Sequence, residues 1–183
     1  MSAVGQEFSS KILGGAGRQE PPVLRTARLT LRAPVMADFP TYAAFLAGPR
    51  SGGVGGPLDT KGAWAYFTSD VALWALQGLG ALMMERDGVL VGSISLNAGP
   101  LFPETEIGWM VYDGHEGQGY APEAAAVVRD WALGPRGLST LVSYVGRDNG
   151  PSRRVAEKLG AVIDSQAVSM GPETLVYRHR RPA

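Results

Sequence analysis

IGWMVYDGHEGQGYAPEAAAVVR, residues 107–129, reads as a strand, a glycine-punctuated turn and a helix. Ile107, Trp109 and Val111 alternate with Met110 and Tyr112, the period of a strand with two distinct faces. Asp113-Gly114 breaks the strand. Gly117, Gly119 and Ala121 are small enough to let a ligand approach the backbone closely. A helix then runs through Ala124–Val128 to Trp131–Leu133, and Gly134-Pro135 stops it. A strand that feeds a helix in this way leaves several N–H groups pointing out of the helix start. The helix dipole adds roughly half a positive charge there. Such a site suits a phosphate or pyrophosphate.

The stretch is neither of the two commonest phosphate loops. No Lys-Ser or Lys-Thr follows the glycines, so the P-loop pattern fails. The third small position of a dinucleotide fingerprint is Pro122, and Leu138 to Leu141 carry no acid where the ribose partner belongs. The glycine turn alone is equally compatible with a tight strand-to-helix connection. A second stretch adds information. After an apolar strand predicted over Leu138 to Val145 comes RDNGPSRRVAEKLGA, residues 147–161.

Together, IGWMV, the turn GQGYAPEA (117–124) and NGPSRRVAEKLG (149–160) resemble the GNAT superfamily of acetyl-CoA-dependent N-acetyltransferases. The branch most resembled is that of the ribosomal-protein N-terminal (Rim-type) acetyltransferases. The likeness covers roughly Thr26 to Tyr177 and is strongest from Glu106 to Gly160. The chain departs from it at Gly114, where relatives often carry Gln or Arg, at Ala156, where many carry a proton-donating Tyr, and at Gly160-Ala161, where Gly-Phe is usual. The resemblance implies acetyl-CoA as cosubstrate, with no metal. It implies that the backbone of Gly117, Gln118, Gly119, Tyr120 and Ala121 binds the pyrophosphate, and that Met110, Val111 and Asn149 meet the pantetheine arm. Ser152 is placed to donate to the leaving thiolate, and Glu106, in the E-I-G-[YW] pattern, to take the amine's proton. The implied reaction is direct transfer. A base must leave the amine neutral, and a strand N–H near Met110 must stabilise an oxyanion.

The rest of the chain agrees with one such domain. Its 183 residues can bury a sizeable core. Formal net charge is zero, which gives no electrostatic case for nucleic acid or an anionic membrane. There are no cysteines, so disulfides, thiolate metal sites and a cysteine nucleophile are excluded. Residues 1–22 read as a flexible lead-in without signal-peptide character, and 23–183 as a single GNAT-like domain. No apolar run is long enough to span a membrane, and a cytoplasmic location is expected. The expected partner is an amine acceptor, either a small molecule or a protein N-terminus. Homodimerisation is left open.

Leu29 and Leu31 alternate as a first strand, and Ala37 to Ala47 as a helix with Pro40 in its first turn. GPRSGGVGGP (48–57) lacks the lysine of a phosphate loop and reads as a mobile surface loop, which in the resembled branch borders the acceptor site. Asp59 or Thr60 caps a helix toward Gln77, whose stripe Trp64, Phe67, Val71 and Trp74 reads as core. Arg86-Asp87-Gly88 turns a hairpin. A last hairpin is expected around Gly171-Pro172, and the closing RHRR (178–181) reads as a solvated end. The order β-α-α-β-β-β-α-β-α-β-β predicts an α+β fold. It is a three-layer α/β/α arrangement whose mixed, mostly antiparallel sheet carries helices on both faces.

Several residues carry competing readings. A carboxylate on a central strand, as at Glu106, is costly unless paired or functional; an exposed or salt-bridged position is the alternative. Ser152 and Asn149 serve equally as helix caps. His115 sits at the turn and reads as structural, and Glu116 should face away from the phosphates. Tyr112 and Tyr144 are reserve proton carriers. A non-catalytic acyl-CoA-binding module and a nucleotide- or phosphate-binding protein using the same turn are the two other functional readings.

Overall fold

A computed structural model describes residues 20–181, so all but the last three residues of the expected lead-in lie outside the described part. The strands are β1 (Leu24–Arg25), β2 (Thr30–Arg32), β3 (Ala81–Arg86), β4 (Val89–Asn97), β5 (Glu106–Val111), β6 (Val142–Gly146), β7 (Val162–Ile163) and β8 (Thr174–Arg178). The α-helices are α1 (Phe39–Ala47), α2 (Thr60–Gln77), α3 (Tyr120–Leu133) and α4 (Gly150–Lys158); Met36–Asp38 and Pro49–Val54 are 3-10 turns. The strands form one sheet in the order β1-β2-β3-β4-β5-β6-β8-β7. Every neighbour pair is antiparallel except β5 and β6. This is the expected mixed, mostly antiparallel α+β sheet of the GNAT fold.

Sequence alternation sorts the two faces of β5. Ile107, Trp109 and Val111 pack with α3 residues Tyr120, Ala124, Ala125 and Val128. Met110 and Tyr112 pack on the other side with Tyr42, Phe45 and Leu46 of α1 and Ala63 and Phe67 of α2. A smaller cluster, Val145, Ala156, Ala161 and Tyr177, seats α4. Gly92 is required where β4 and β5 meet: a Cβ there would lie 2.2 Å from the Met110 carbonyl oxygen. The Asp87-Gly88 hairpin forms as expected, both residues at positive φ (50° and 79°), as a tight two-residue turn requires.

Six expectations are corrected. A two-residue strand, Leu24–Arg25, precedes the one read as first. β6 begins at Val142 rather than Leu138, because residues 134–141 leave α3 through turns held by Leu138 N–H to Ala132 C=O, 2.9 Å. The buried stripe of α2 is Ala63, Phe67, Asp70 and Trp74; Trp64 and Val71 are more than 40% exposed. Buried Asp70 accepts a hydrogen bond from the Tyr42 hydroxyl at 2.7 Å, so a polar pair fills a place that the periodicity gave to apolar residues. The loop 48–57 is a 3-10 turn whose buried Ser51 hydroxyl donates to Leu46 C=O at 2.9 Å, a built element rather than a mobile loop. The last two strands do pair antiparallel, Val162 with Arg178 and Ile163 with Tyr177, but the first is far shorter than the expected Ala161 to Met170 and a long loop containing Gly171-Pro172 joins them. β7 has two residues, and β8 crosses between it and β6. The closing segment is not wholly solvated either. Arg178 pairs with Glu104 (2.7 Å) and Asp164 (2.6 Å), and His179 is buried.

Candidate active site

β5 and β6 pair at one position only, Glu106 with Val142, and then part. The closed end is held by Val142 N–H to Thr105 C=O (3.0 Å) and by Arg178 and Thr140 on Glu104. Beyond it, the Ser143 hydroxyl donates to Ile107 C=O at 2.7 Å, taking the acceptor that a continuing ladder would use. The same oxygen lies 2.9 Å from His179 Nε2. Since the single hydroxyl proton goes to the carbonyl, Nε2 must carry the proton of that contact. His179 Nδ1 is then bare, buried and unpartnered among the described residues. Burial, aided by the Arg129 charge, lowers the His179 pKa to about 4, so the ring is neutral.

The parted strands open a cleft of about 650 Å³ between β5, β6, the start of α3 and α4. Ladder bonds alternate along a strand, so successive residues of β5 face opposite neighbours. Tyr112 N–H bonds Val91 C=O at 3.0 Å, which turns the backbone groups of Glu106, Gly108, Met110 and Tyr112 toward β4. Those of Ile107, Trp109 and Val111 face the cleft. Met110 therefore lines the cleft by its side chain, but its N–H is not the free donor expected there. Trp109 and Val111 supply the open strand edge.

The turn after β5 is shaped as the glycines demanded. Gly114, Gly117 and Gly119 all adopt positive φ, and Gly119 caps α3. Among the described residues no protein acceptor takes the N–H of Gly117, Gly119, Tyr120 or Ala121. These donors line the cleft wall at the positive end of α3. Gln118 N–H also lacks a protein acceptor among the described residues, but Gln118 does not line the cleft. Its carbonyl accepts from Arg28 (3.0 Å) and its side-chain oxygen from the Tyr120 hydroxyl (2.8 Å), so it braces the turn from behind. Arg28 in turn is locked to Glu123 by a 2.7 Å bond from Nε. The Tyr120 ring is buried, so only its backbone faces the cleft.

Glu106 lies in the cleft wall at the closed end of the splay. Burial raises its pKa, while a hydrogen bond from Asn97 Nδ2 at 3.0 Å opposes the rise. Asn97 is its direct cross-strand partner and also reaches Ser95 Oγ at 3.2 Å, so the carboxylate is held in one orientation. Tyr144 faces the same space, its hydroxyl accepting from Glu104 N–H at 3.1 Å, and burial raises its pKa too. Tyr112 is buried in the core beneath α1 and does not line the cleft. Asn149 caps α4, its Oδ1 accepting from Ser152 N–H at 3.1 Å, which leaves the amide nitrogen for other work. The Ser152 side chain lines the cleft, and its hydroxyl has no protein partner among the described residues. Ala156 is fully buried, so a tyrosine there would have to displace the packing beneath α4.

Arg28, Asn97, Ser143 and His179 escaped the sequence reading, and so did Arg50. Arg50 reaches from the Pro49–Val54 turn to Asp113 (2.5 Å), Glu116 (2.6 Å) and Val111 C=O (3.1 Å). Glu116 thus meets a cation, yet it lines the same cleft as the N–H donors rather than facing away from it. The only sequence signal for Arg50 was its place inside a glycine-rich loop.

Residues 28–162 match the family profile described as the acetyltransferase (GNAT) domain, more than half of the chain. An acetyltransferase from Agrobacterium tumefaciens str. C58 is 52% identical, with a TM-score of 0.86 over 88% of this chain and 96% of that one. RimL, a ribosomal L7/L12 α-N-protein acetyltransferase solved with coenzyme A, is 16% identical with a TM-score of 0.68 over 87% of this chain and 96% of that one, a likeness of fold. The uncharacterised protein YkkB of Bacillus subtilis (strain 168) is 32% identical over 92 residues, 49% of this chain and 50% of that protein. The chain therefore spans about half the length of the curated relative it matches. With a parted strand pair, an unpaired N–H cradle at a helix start and a match across most of the chain, this protein belongs to the GNAT acetyltransferase family.

Proposed function

We propose that the protein moves an acetyl group from acetyl-CoA to a primary amine by direct transfer, within a single domain over residues 23–183. The observation that carries this reading is one cleft with two kinds of free backbone donor. The N–H groups at Gly117, Gly119, Tyr120 and Ala121 suit a diphosphate, and the edge of Trp109 and Val111 suits the amides of a pantetheine arm. A thioester carried by that arm lies along β5 toward Glu106.

Each residue then has a task. Glu106, with a raised pKa and a fixed orientation, takes the proton that the amine must lose. An N–H of Trp109 or Val111 donates to the oxygen that gains negative charge, in place of Met110. The Ser152 hydroxyl donates to the sulfur that leaves. Positioning supplies most of the rate, and no residue need form a covalent bond to the acetyl group. RimL, with the same fold, acts on the α-amine of a ribosomal protein, which supports a peptide N-terminus as one acceptor class beside small amines.

The test is calorimetric binding of acetyl-CoA, followed by acetyl transfer to a panel of peptide N-termini and small amines read by mass spectrometry. Saturable binding with acetylation of some panel amine is the expected result. Binding without transfer to any amine would leave an acyl-CoA-binding module instead, and absence of binding would remove the reading altogether.

A further inference from the structure

Ladder bonds sort the backbone of β6 as they do that of β5. His179 N–H bonds Leu141 C=O and Arg147 N–H bonds Glu173 C=O, both at 2.9 Å, so the odd-numbered residues of this stretch turn their backbone groups toward β8. Val142 N–H bonds Thr105 C=O on the opposite side. The backbone groups of Val142 and Tyr144 therefore face β5. In a continuing parallel ladder the next donor after Val142 is Tyr144 N–H, and its acceptor is Ile107 C=O. That bond does not form, because β5 and β6 pair only at Glu106 and Val142. The Ser143 hydroxyl has taken the acceptor at 2.7 Å, and both Ser143 and Tyr144 line the cleft.

A serine hydroxyl rotates to suit its neighbours, and here His179 decides which way it turns. Ser143 and His179 are only 2% and 4% exposed, so neither readily exchanges its partner for water. With the proton on Nε2, the imidazole donates to Ser143 Oγ at 2.9 Å, and the hydroxyl proton goes to Ile107 C=O. With the proton on Nδ1, Nε2 would draw the hydroxyl proton to itself and release Ile107 C=O. That arrangement leaves Nδ1–H and Ile107 C=O both without a protein partner, where the first leaves only Nδ1. The want of an acceptor at Nδ1 thus keeps the hydroxyl on the carbonyl.

We propose that Ser143, held by His179, is a positioning residue for acetyl transfer: it takes Ile107 C=O in place of Tyr144 N–H, and so keeps that N–H free in the cleft as a donor to the bound acyl donor. The register of Glu106 with Val142, carried two residues on, puts Tyr144 opposite Gly108 and beside Trp109. A carbonyl oxygen lying between the parted strands then meets an N–H from each of them. The donor on β6 adds to the edge of Trp109 and Val111 and replaces neither. A hydroxyl in place of a ladder bond also satisfies Ile107 C=O without drawing the strands together. The inference rests on reading the cleft as an acetyl-CoA site.

The experiment reads amide hydrogen exchange and the ¹⁵N spectrum of His179 by NMR, and the Kd for acetyl-CoA by calorimetry. In the free wild type, Tyr144 N–H should exchange fast while Val142 N–H, bonded to Thr105, is protected. Acetyl-CoA should slow Tyr144. The His179 proton should sit on Nε2. Ser143→Ala leaves Ile107 C=O to Tyr144 N–H, so this amide should be protected even without ligand, and affinity for acetyl-CoA should fall about tenfold, equivalent to about 1.4 kcal/mol. Ser143→Thr keeps the hydroxyl and should restore both the fast exchange and the affinity. Protection of Tyr144 in the free wild type, or a His179 proton on Nδ1, would overturn the proposal without any variant. So would Ser143→Ala with weaker binding but an unprotected Tyr144, since that is ordinary loss of stability. Failure of the wild type to bind acetyl-CoA would overturn the reading beneath, while exchange in the free protein would still decide what Ser143 does.

Discussion

At the scale of single residues, the site depends on backbone that few side chains could adopt. Gly119 sits at φ +81°, and a Cβ there would come 3.4 Å from Arg28 Nη2, the arginine that braces the turn. Gly119→Val therefore strains the cap of α3 and fills the approach to the N–H donors. Affinity for acetyl-CoA, read by calorimetry on folded protein, should fall about a hundredfold, or about 2.7 kcal/mol. Unchanged affinity would remove the turn from the site. Asn97 is a positioning residue for Glu106, and its hydrogen bond stabilises the ionised carboxylate. Asn97→Ala should raise the Glu106 pKa further. The acidic limb of the kcat/KM profile should then move to higher pH, while the Kd for acetyl-CoA stays put. A profile with its limb in place would show that Asn97 has no hold on the base. Glu106 was legible as a carboxylate on a central strand. Asn97 was not, because its register with Glu106 passes through the irregular loop 98–105, where no tight turn fixes the pairing.

At the scale of elements, the strand-turn-helix of β5 and α3 was legible nearly to the residue, since alternation, glycines and the Gly134-Pro135 stop all agree. The Pro49–Val54 turn was misread because its glycines obscured Ser51, whose hydroxyl folds back on Leu46 C=O, and Arg50, whose bond to Val111 C=O is long-range. The pairing of the final strands was legible but the length of the first was not, and the place of β8 between β6 and β7 is an order that no local pattern contains. The start of α4 joins the cap and the cofactor readings of Asn149 in one side chain. Its Oδ1 caps the helix, and its amide nitrogen lies near Gly53, where an added Cβ would sit 2.9 Å away. Asn149→Ala should lower the melting temperature by the loss of a cap worth about 0.5–2 kcal/mol and should also weaken acetyl-CoA. Asn149→Asp keeps the cap oxygen but not the amide donor. It should restore the melting temperature without restoring affinity. If Asp recovers both, Asn149 is a cap and nothing more.

At the scale of the whole molecule, the sheet has a polar cost on each side of the cleft strands. Burial pushes the Asp70 carboxyl up from the ordinary 3.8 to about 7, with Tyr42 as its hydrogen-bond partner. A raised carboxyl stabilises the fold below about 3.8 and loses that contribution as pH climbs toward 7. Neutral His179 acts oppositely. Its contribution is present above 6.5 and is lost as pH falls toward about 4. Asp70→Asn can still accept from Tyr42, so it should raise the melting temperature at pH 8 and change it little at pH 4. A gain of equal size at both would show that Asp70 is not buried as a charge. The splay is also a whole-molecule property. It needs the Glu104–Arg178 clamp at one end and Ser143 with His179 beyond it, residues drawn from β6, β8, the segment before β5 and the segment that follows β8. That is why the family resemblance could point to a gap between β5 and β6 while the residues that keep it open went unread. The central claim is that this gap delivers an acetyl group to an amine deprotonated by Glu106. It is tested most directly by the pH-dependence of acetyl transfer in wild type and Glu106→Gln, with a panel amine that the wild type acetylates. The glutamine keeps size and hydrogen bonding but takes no proton. Turnover should drop at least tenfold, within the roughly 10²–10⁴-fold reach of general-base catalysis, with acetyl-CoA affinity unchanged and only the amine's own limb left in the profile. Equal turnover and an identical profile in the two proteins would contradict the account at its centre.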